Sequence, residues 1–475
     1  MAHKNQEFGP ALRAAIQSAF EHLDNLSHSA ATATRDLASL RRQLKKPLGE
    51  GPLPAEQVIR ELTRDVEGGL VGSSGGRFFA WVIGGAGPAA LAADWLTSAW
   101  DQNAAMFACS PAAAVVEEVA GTWLKEILKI PQTASFALVT GCQMAHVTCL
   151  AAARHALLAS RGWDVEKQGL YGATPIRIVS SGMWHGTFQR ALRLLGMGES
   201  NVILLPTDEQ DRLSPHALRE ELTKNPDAPT IVLLQAGDIN IGAFDSFESL
   251  VPIAKQSGAW VHIDGAFGLW AAASQLHGHL LRGASEADSW ATDGHKWLNV
   301  PYDSGYAFVA DSESHRASMT HRAAYIYHDA DARDQIDWNP EWSRRARGFA
   351  TYAALRQLGR QGVAEIVDDC CRHAKSLATK IGALPGAQLL WTPVINQGLV
   401  RFLNPGKGSK TADHDKRTEH VVAAVLGGTE AFFGCTTWHG MRAMRISVCG
   451  WQTNEQDVER AVGAVEKALR QFDRT

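Results

Sequence analysis

The chain lacks a basic surplus, paired-cysteine motifs and long apolar runs, and each absence removes a class of function. Lys and Arg number 46 against 50 Asp and Glu, a formal net charge of −4; a nucleic-acid binder would carry a clear basic excess. Seven cysteines, at 109, 142, 149, 370, 371, 435 and 449, are an odd number without a CxxC pair. Neither a disulfide framework nor a cysteine-based zinc site fits them, and a reducing cytoplasm is the expected compartment. No stretch of 18 apolar residues occurs, and the N-terminus MAHKNQEFGPALR has no apolar signal core; no membrane anchor is expected. HExxH is missing too, which disfavours a zinc hydrolase, and no metal is expected. What remains is ordinary globular composition, 45% hydrophobic and 20% charged over 475 residues, long enough for two or three domains.

Residues 1–75 read as a helical arm. Leu12, Ile16, Phe20 and Leu23 recur at helical spacing, a Pro/Gly-rich break follows at 45–54, and Glu56–Leu70 reads as a second helix. This polar segment is expected to pack on a partner subunit or on the main body. Residues 76–365 alternate apolar strands with amphipathic helices. The strands are Phe136–Val139, Ile176–Val179, Val202–Leu205, Ile231–Leu234 and Trp260–Ile263; helices fall at Ala145–Ser160, Phe188–Leu195, Pro215–Thr223 and Phe247–Gln256. That alternation predicts an α/β domain with a mainly parallel sheet, whose ligands bind at the carboxyl ends of the strands. A long helical region at about 341–381 leads into residues 366–475, where strands at Leu399–Leu403, Phe432–Trp438 and Met444–Val448 mix with helices at Glu419–Leu426 and Gln456–Phe472. This reads as a smaller α+β domain.

Four segments can carry chemistry. Trp260-Val-His-Ile-Asp264 ends an apolar strand in a carboxylate, followed by the small residues Gly265 and Ala266. Asp293-Gly-His295-Lys296-Trp297 places a lysine after another candidate strand, 32 positions beyond Asp264. An enzyme that uses pyridoxal 5'-phosphate needs such a pair: a lysine amine to take the aldehyde, and an acid to keep the pyridine nitrogen protonated as an electron sink. Ser180-Ser-Gly-Met-Trp-His185 puts an imidazole at a helix start, suited to stacking on a pyridine ring. Val139-Thr-Gly-Cys142-Gln143-Met-Ala145 offers a glycine turn before a helix, and the free N–H groups there suit a phosphate. Gly85-Ala-Gly87 resembles a dinucleotide turn, but no acidic residue ends a following strand about 20 residues on, as ribose recognition requires.

With these pieces together, the chain resembles the group II pyridoxal phosphate-dependent amino acid decarboxylases, of the fold-type I (aspartate aminotransferase-like) superfamily, over about residues 35–470. The spacings His185 to Asp264 (79) and Asp264 to Lys296 (32) agree with the family pattern, and Arg77-Phe-Phe-Ala-Trp81 and Ser110-Pro-Ala-Ala match its dimer-forming entrance. The resemblance implies a large domain with a seven-stranded sheet flanked by helices, a small C-terminal α+β domain, an N-terminal arm, and a homodimer with active sites at the subunit interface. It implies that Lys296 carries the cofactor, Asp264 pairs with its ring nitrogen, His185 stacks on the ring and Ala266 lies on the other face. Cys142 and Gln143 would give backbone donors to the phosphate, with His295 and Asp293 nearby. Tyr325, 29 positions after Lys296, would be the loop acid that protonates Cα once carbon dioxide has left.

Three departures accompany the resemblance. Ile239 stands where a hydroxyl is usual, Asp293 brings a charge that opposes a phosphate unless it faces away, and Cys-Gln-Met replaces smaller and acidic residues in the phosphate turn. The expected reaction is decarboxylation of an aromatic or bulky L-amino acid. Trp81, Phe79, Trp100 and Phe107 are candidates for an aromatic entrance, and Arg445 is a candidate for a substrate carboxylate. Alternatives on the same fold are an aminotransferase, a decarboxylation-dependent aldehyde synthase, or a pyridoxal-binding protein without this activity.

Overall fold

The computed structural model describes residues 7–321 and 332–472. The chain divides into two compact units: one takes in the chain up to Ile83 with Ser376–Thr392 and Leu399 onward, the other Gly84–Lys375 with Pro393–Gly398.

The second unit is built on a seven-stranded sheet. Its strands are β1 (Ser135–Val139), β2 (Arg177–Ser181), β3 (Val202–Leu205), β4 (Thr230–Gln235), β5 (Trp260–Asp264), β6 (Ser289–Asp293) and β7 (Gly305–Val309). Their order is β1-β7-β6-β5-β4-β2-β3. The pairs among β2 to β6 are parallel, and β7 runs against both of its neighbours, β1 and β6. The expected mainly parallel α/β sheet is therefore present. Central strands are buried along their whole length, as in Thr-Ile-Val-Leu-Leu-Gln of β4. Helices on both faces of a parallel sheet leave no solvent side, so such strands read as continuous apolar runs.

The helix Cys142–Ala159 covers one face. Its Ala145, Cys149, Leu150 and Ala153 join Ile178, Phe188, Leu192 and Ile231 in the main apolar cluster. Each large apolar side chain buried there contributes roughly 1.5–3 kcal/mol. One contact fixes this helix against the sheet: a Cβ on Gly305 would lie 2.4 Å from Gly141 Cα, so the turn before the helix reaches β7 only because Gly305 has no side chain.

A buried ion pair locks the early helices of this unit. Arg344 Nη1 lies 2.7 Å from Glu117 Oε2, with both side chains fully buried, and also donates to Ala104 O. Removing one partner strands a charge without solvent, which costs about 3–5 kcal/mol. Arg344→Met is therefore expected to lower the thermal unfolding midpoint by several degrees, and an unchanged midpoint would show that the pair contributes nothing net.

The first unit joins the helices Phe8–Asp24, Leu37–Leu44 and Ala55–Val66 to the C-terminal sheet of β8 (Ala387–Trp391), β9 (Gln397–Phe402), β10 (Gly434–Trp438) and β11 (Met441–Ser447), in the order β10-β11-β9-β8. Buried Arg77 ties these parts together by donating to the carbonyls of Ser27, Ser29 and Glu430. The helical region expected at 341–381 forms the helix Gly348–Gly382, interrupted at Gly359, whose φ of 60° is left-handed.

Candidate active site

Register brings the carboxyl ends of β1, β5 and β6 to one edge of the sheet. Asp264 is paired to Ala291 and Asp293 to Gly305, which in turn faces Val139. Asp264, Lys296, Asp293, Cys142 and Ala266 meet there. The Asp264 carboxylate is buried; Oδ1 accepts from Ala266 N at 3.1 Å, and Oδ2 lies 3.5 Å from His146 Nε2. Burial alone would raise its pKa, but His146, His185 and Lys296 outweigh burial and hold the carboxyl below its ordinary range. It is thus an ionised carboxylate in a dry crevice.

Lys296 Nζ sits 2.9 Å from Asp293 Oδ2, and 5.9 Å from the Phe267 ring centre. Burial would lower the amine's pKa, yet the carboxylates and above all Asp293 raise it. The amine is held as ammonium, contrary to the lowered value that a nucleophilic lysine usually needs, and Asp293 is the adjacent base for its proton.

Asp293 does not face away from the phosphate turn. Its Oδ1 accepts from Cys142 N at 2.6 Å and lies 3.4 Å from His295 Nε2. The backbone donor of Cys142, expected to serve a phosphate, is therefore engaged by Asp293, whose charge is balanced by Lys296. The next N–H groups of that helix, Gln143 and Met144, have no intrahelical partner by geometry. The Gln143 side chain meets Arg190 at 3.4 Å.

His295 is fixed on three sides. Its Nδ1 accepts from Ser304 N, its ring stacks on Tyr302 with centroids 4.4 Å apart, and burial lowers its pKa, so the neutral ring turns Nε2–H toward Asp293. His185 caps the helix Gly186–Leu194 at the end of β2, with Nδ1 accepting from Thr187 N, and is exposed. Ile239 lies in a turn that Asp238 organises by accepting the N–H groups of Asn240, Ile241 and Ala243.

Other expected residues fall elsewhere. Trp81 and Arg445 belong to the first unit; Trp81 is 56% exposed, and Arg445 lies on β11. Phe79 is fully buried and stacks on Phe433, so it is core and not an open entrance wall. Tyr325 lies outside the described residues. One imidazole, His146, escaped the sequence reading. The ligand atoms of Cys142, His146 and Asp264 lie within 4.8 Å of one another, and burial pushes the Cys142 thiol well up.

An ionised carboxylate, a lysine amine and a helix start in one crevice match the ring nitrogen, aldehyde and phosphate of pyridoxal phosphate. The fold and site thus define a fold-type I pyridoxal phosphate enzyme. The model of the family described as pyridoxal-dependent decarboxylase conserved domain matches residues 38–403, and the chain belongs to that family. It is a pyridoxal phosphate-dependent amino acid carboxy-lyase. It is 27% identical to an aromatic-L-amino-acid decarboxylase of Bacillus atrophaeus over 82% of this chain and 80% of the relative. It is 26% identical to an L-2,4-diaminobutyrate decarboxylase of Rhizobium meliloti (strain 1021), over 81% and 76% respectively. Among solved structures, Oryza sativa TDC with PLP and tryptamine matches with a TM-score of 0.90 at 22% identity, covering 97% of each chain. No helix among the described residues is long and apolar enough to cross a membrane.

Proposed function

We propose that the chain decarboxylates an aromatic or other bulky L-amino acid to its amine, with Lys296, Asp264, His185, His295 and Tyr325 as the working residues. The observation that carries this reading is the convergence of Asp264 with the Lys296–Asp293 pair at the start of the Cys142–Ala159 helix. Relatives named for aromatic amino acids, tyrosine and tryptophan support the substrate class.

Pyridoxal phosphate supplies an electron sink for the bond pair released with carbon dioxide. Lys296 would hold the cofactor through its aldehyde carbon, with Asp293 placed to take the ammonium proton. Asp264 would keep the ring nitrogen protonated. His185 and Ala266 would bracket the ring, and Gln143, with Cys142 and His295 beside it, would receive the phosphate. Orientation of the substrate carboxylate selects the bond that breaks, with Trp81 or Arg445 contacting the substrate. Burial disfavours the charged carboxylate relative to neutral carbon dioxide. Tyr325 then delivers a proton to Cα.

In this reading the protein works as a cytoplasmic homodimer. Seven cysteines outside any disulfide suit a reducing compartment. On the first helix Phe8 is 85% exposed and Phe20 55%, and Leu12 and Ile16 are exposed beside them, an apolar stripe that a partner subunit would cover.

Carbon dioxide release screened across the amino acids, with products identified, tests the reading. Tyr325→Phe is expected to keep the cofactor but lose amine production at least tens-fold, since a general acid contributes about 10²–10⁴-fold. A parent-like rate in that variant, with loss in Tyr327→Phe, would reassign the acid. A keto acid product from the parent would instead mark an aminotransferase, and an aldehyde product an aldehyde synthase. A phenylacetaldehyde synthase of Petunia hybrida, 26% identical over 65% of this chain and 62% of its own length, makes that last outcome worth measuring.

A further inference from the structure

Behind Asp264 lies a row of buried polar groups that the mechanism above does not use. His146 Nε2 is 3.5 Å from Asp264 Oδ2. His146 Nδ1 is 2.8 Å from His262 Nε2, His262 Nδ1 is 2.8 Å from Ser289 Oγ, and Trp260 Nε1 donates to Ser289 Oγ at 2.9 Å. His146, His262 and Ser289 are wholly buried, and Trp260 nearly so. The row spans three elements: the helix Cys142–Ala159, β5 and β6.

Both ends of the row fix its direction. An indole N–H can only donate, and an ionised carboxylate can only accept. Burial, with His146 beside it, holds His262 well below its ordinary range, so His262 is neutral with one donor and one acceptor nitrogen. The indole therefore donates to Ser289 Oγ at one end and His146 Nε2 faces Asp264 as a donor at the other, with His262 bridging Ser289 Oγ and His146 Nδ1 between them. Each bond polarises the next, and a satisfied buried network is rigid.

We propose that His146, backed by His262, Ser289 and Trp260, is a positioning residue that fixes the Asp264 carboxylate toward the cofactor's ring nitrogen. Ala266 N–H donates to Oδ1 on one side; on the other, His146 Nε2 lies 3.5 Å from Oδ2 and 3.4 Å from Cys142 Sγ, whose thiol reaches Oδ1 at 3.9 Å, so the carboxylate is held from two sides. The charged and titratable groups facing Asp264 are Cys142 and His146 from the helix, His185 from the next helix start, and Lys296 from the segment after β6. Asp293, which faces Cys142 and Lys296, is one step removed. Of the three imidazole or amine groups, His146 alone is braced from behind by a continuous row of buried donors. This inference rests on the cofactor reading of Asp264.

The test uses the holoenzyme with ¹⁵N-labelled pyridoxal phosphate, reading the ring-nitrogen resonance, its dependence on pH, and kcat against KM. His146→Gln keeps a donor near the Nε2 position, and His146→Leu removes it at similar volume. His146→Leu is expected to move the resonance toward the unprotonated ring and to lower kcat by roughly ten- to a hundredfold, the scale of one hydrogen bond to a charged group, with KM little changed. His146→Gln is expected to restore most of both. Ser289→Ala, a milder change at the far end that spares folding, is expected to shift the resonance in the same direction by less. A parent-like resonance in both His146→Leu and Ser289→Ala would overturn the proposal, as would His146→Gln behaving like His146→Leu. Asp264→Asn separates this failure from failure of the cofactor reading: a resonance unmoved by Asp264→Asn sinks the underlying reading, whereas one moved by it and not by His146→Leu sinks the row alone.

Discussion

Lys296→Arg is expected to fold and to have no measurable turnover. The guanidinium keeps the ion pair with Asp293, which lies buried 2.9 Å from the native amine, so the carboxylate is not left without a counter-charge. It cannot act as a nucleophile, because it stays protonated at any workable pH. Lys296→Ala is expected to lose activity as well, but with a lower unfolding midpoint, since it strands Asp293 in a dry site. Borohydride reduction of the loaded parent should leave a phosphopyridoxyl mass on the peptide containing residue 296 and on no other. A label on a different lysine, or turnover in Lys296→Arg, would remove Lys296 from its assigned place. The raised pKa of this amine adds a kinetic corollary. Cofactor capture by the free protein should quicken as pH rises, because the ammonium must first lose its proton.

The second large effect is expected from Asp264→Asn, a loss of about 10³-fold or more in turnover. A neutral amide does not hold a proton on the ring nitrogen, so the electron sink weakens at the moment charge develops. The amide also meets two donors. Its oxygen can take the Ala266 N–H, which leaves its NH₂ facing His146 Nε2–H, where the carboxylate offers an acceptor. Folding should be little altered, as the side chains have similar volume. Near-parent turnover would mean that another group supplies the negative charge.

Much of this architecture was legible in the sequence because its cause is local. β4 is an apolar run with polar residues only at its ends, and β5 is one interrupted only by His262 before the terminal Asp264; that pattern marks both a buried strand and the place where its last side chain meets ligand. β6, Ser-Trp-Ala-Thr-Asp, was read only as a candidate strand before the lysine. Two strands were not read: β8, Ala-Gln-Leu-Leu-Trp, and β7, Gly-Tyr-Ala-Phe-Val, which gives no hint that it runs against its neighbours. Direction is set by the short return from β6, a matter of tertiary topology. The pairing of Asp293 with Lys296 was missed for a similar reason. Three positions of separation say nothing about whether a side chain turns toward the helix start or away from it. The His146–His262 contact joins residues 116 apart in sequence, and an imidazole inside an alanine-rich helix carries no sign of its partner.

The antiparallel return of β7 also governs how the lysine moves. Residues 294–304 connect two neighbouring strands in the sheet interior, and bonds cross this connection from Gly294 N and His295 N to Ser304 O and from Val300 N to Gly294 O. The backbone carrying Lys296 is thus pinned at both ends and cannot shift without opening the sheet. Departure and return of the amine during each cycle must then come from side-chain torsions alone. Such rotations take roughly picoseconds to nanoseconds when unhindered, whereas enzymes of ordinary speed turn over about 1–10³ times per second. Even slowed many thousandfold by crowding, the lysine's swing is too quick to set the pace, and the slow step belongs to bond breaking, proton delivery or product escape.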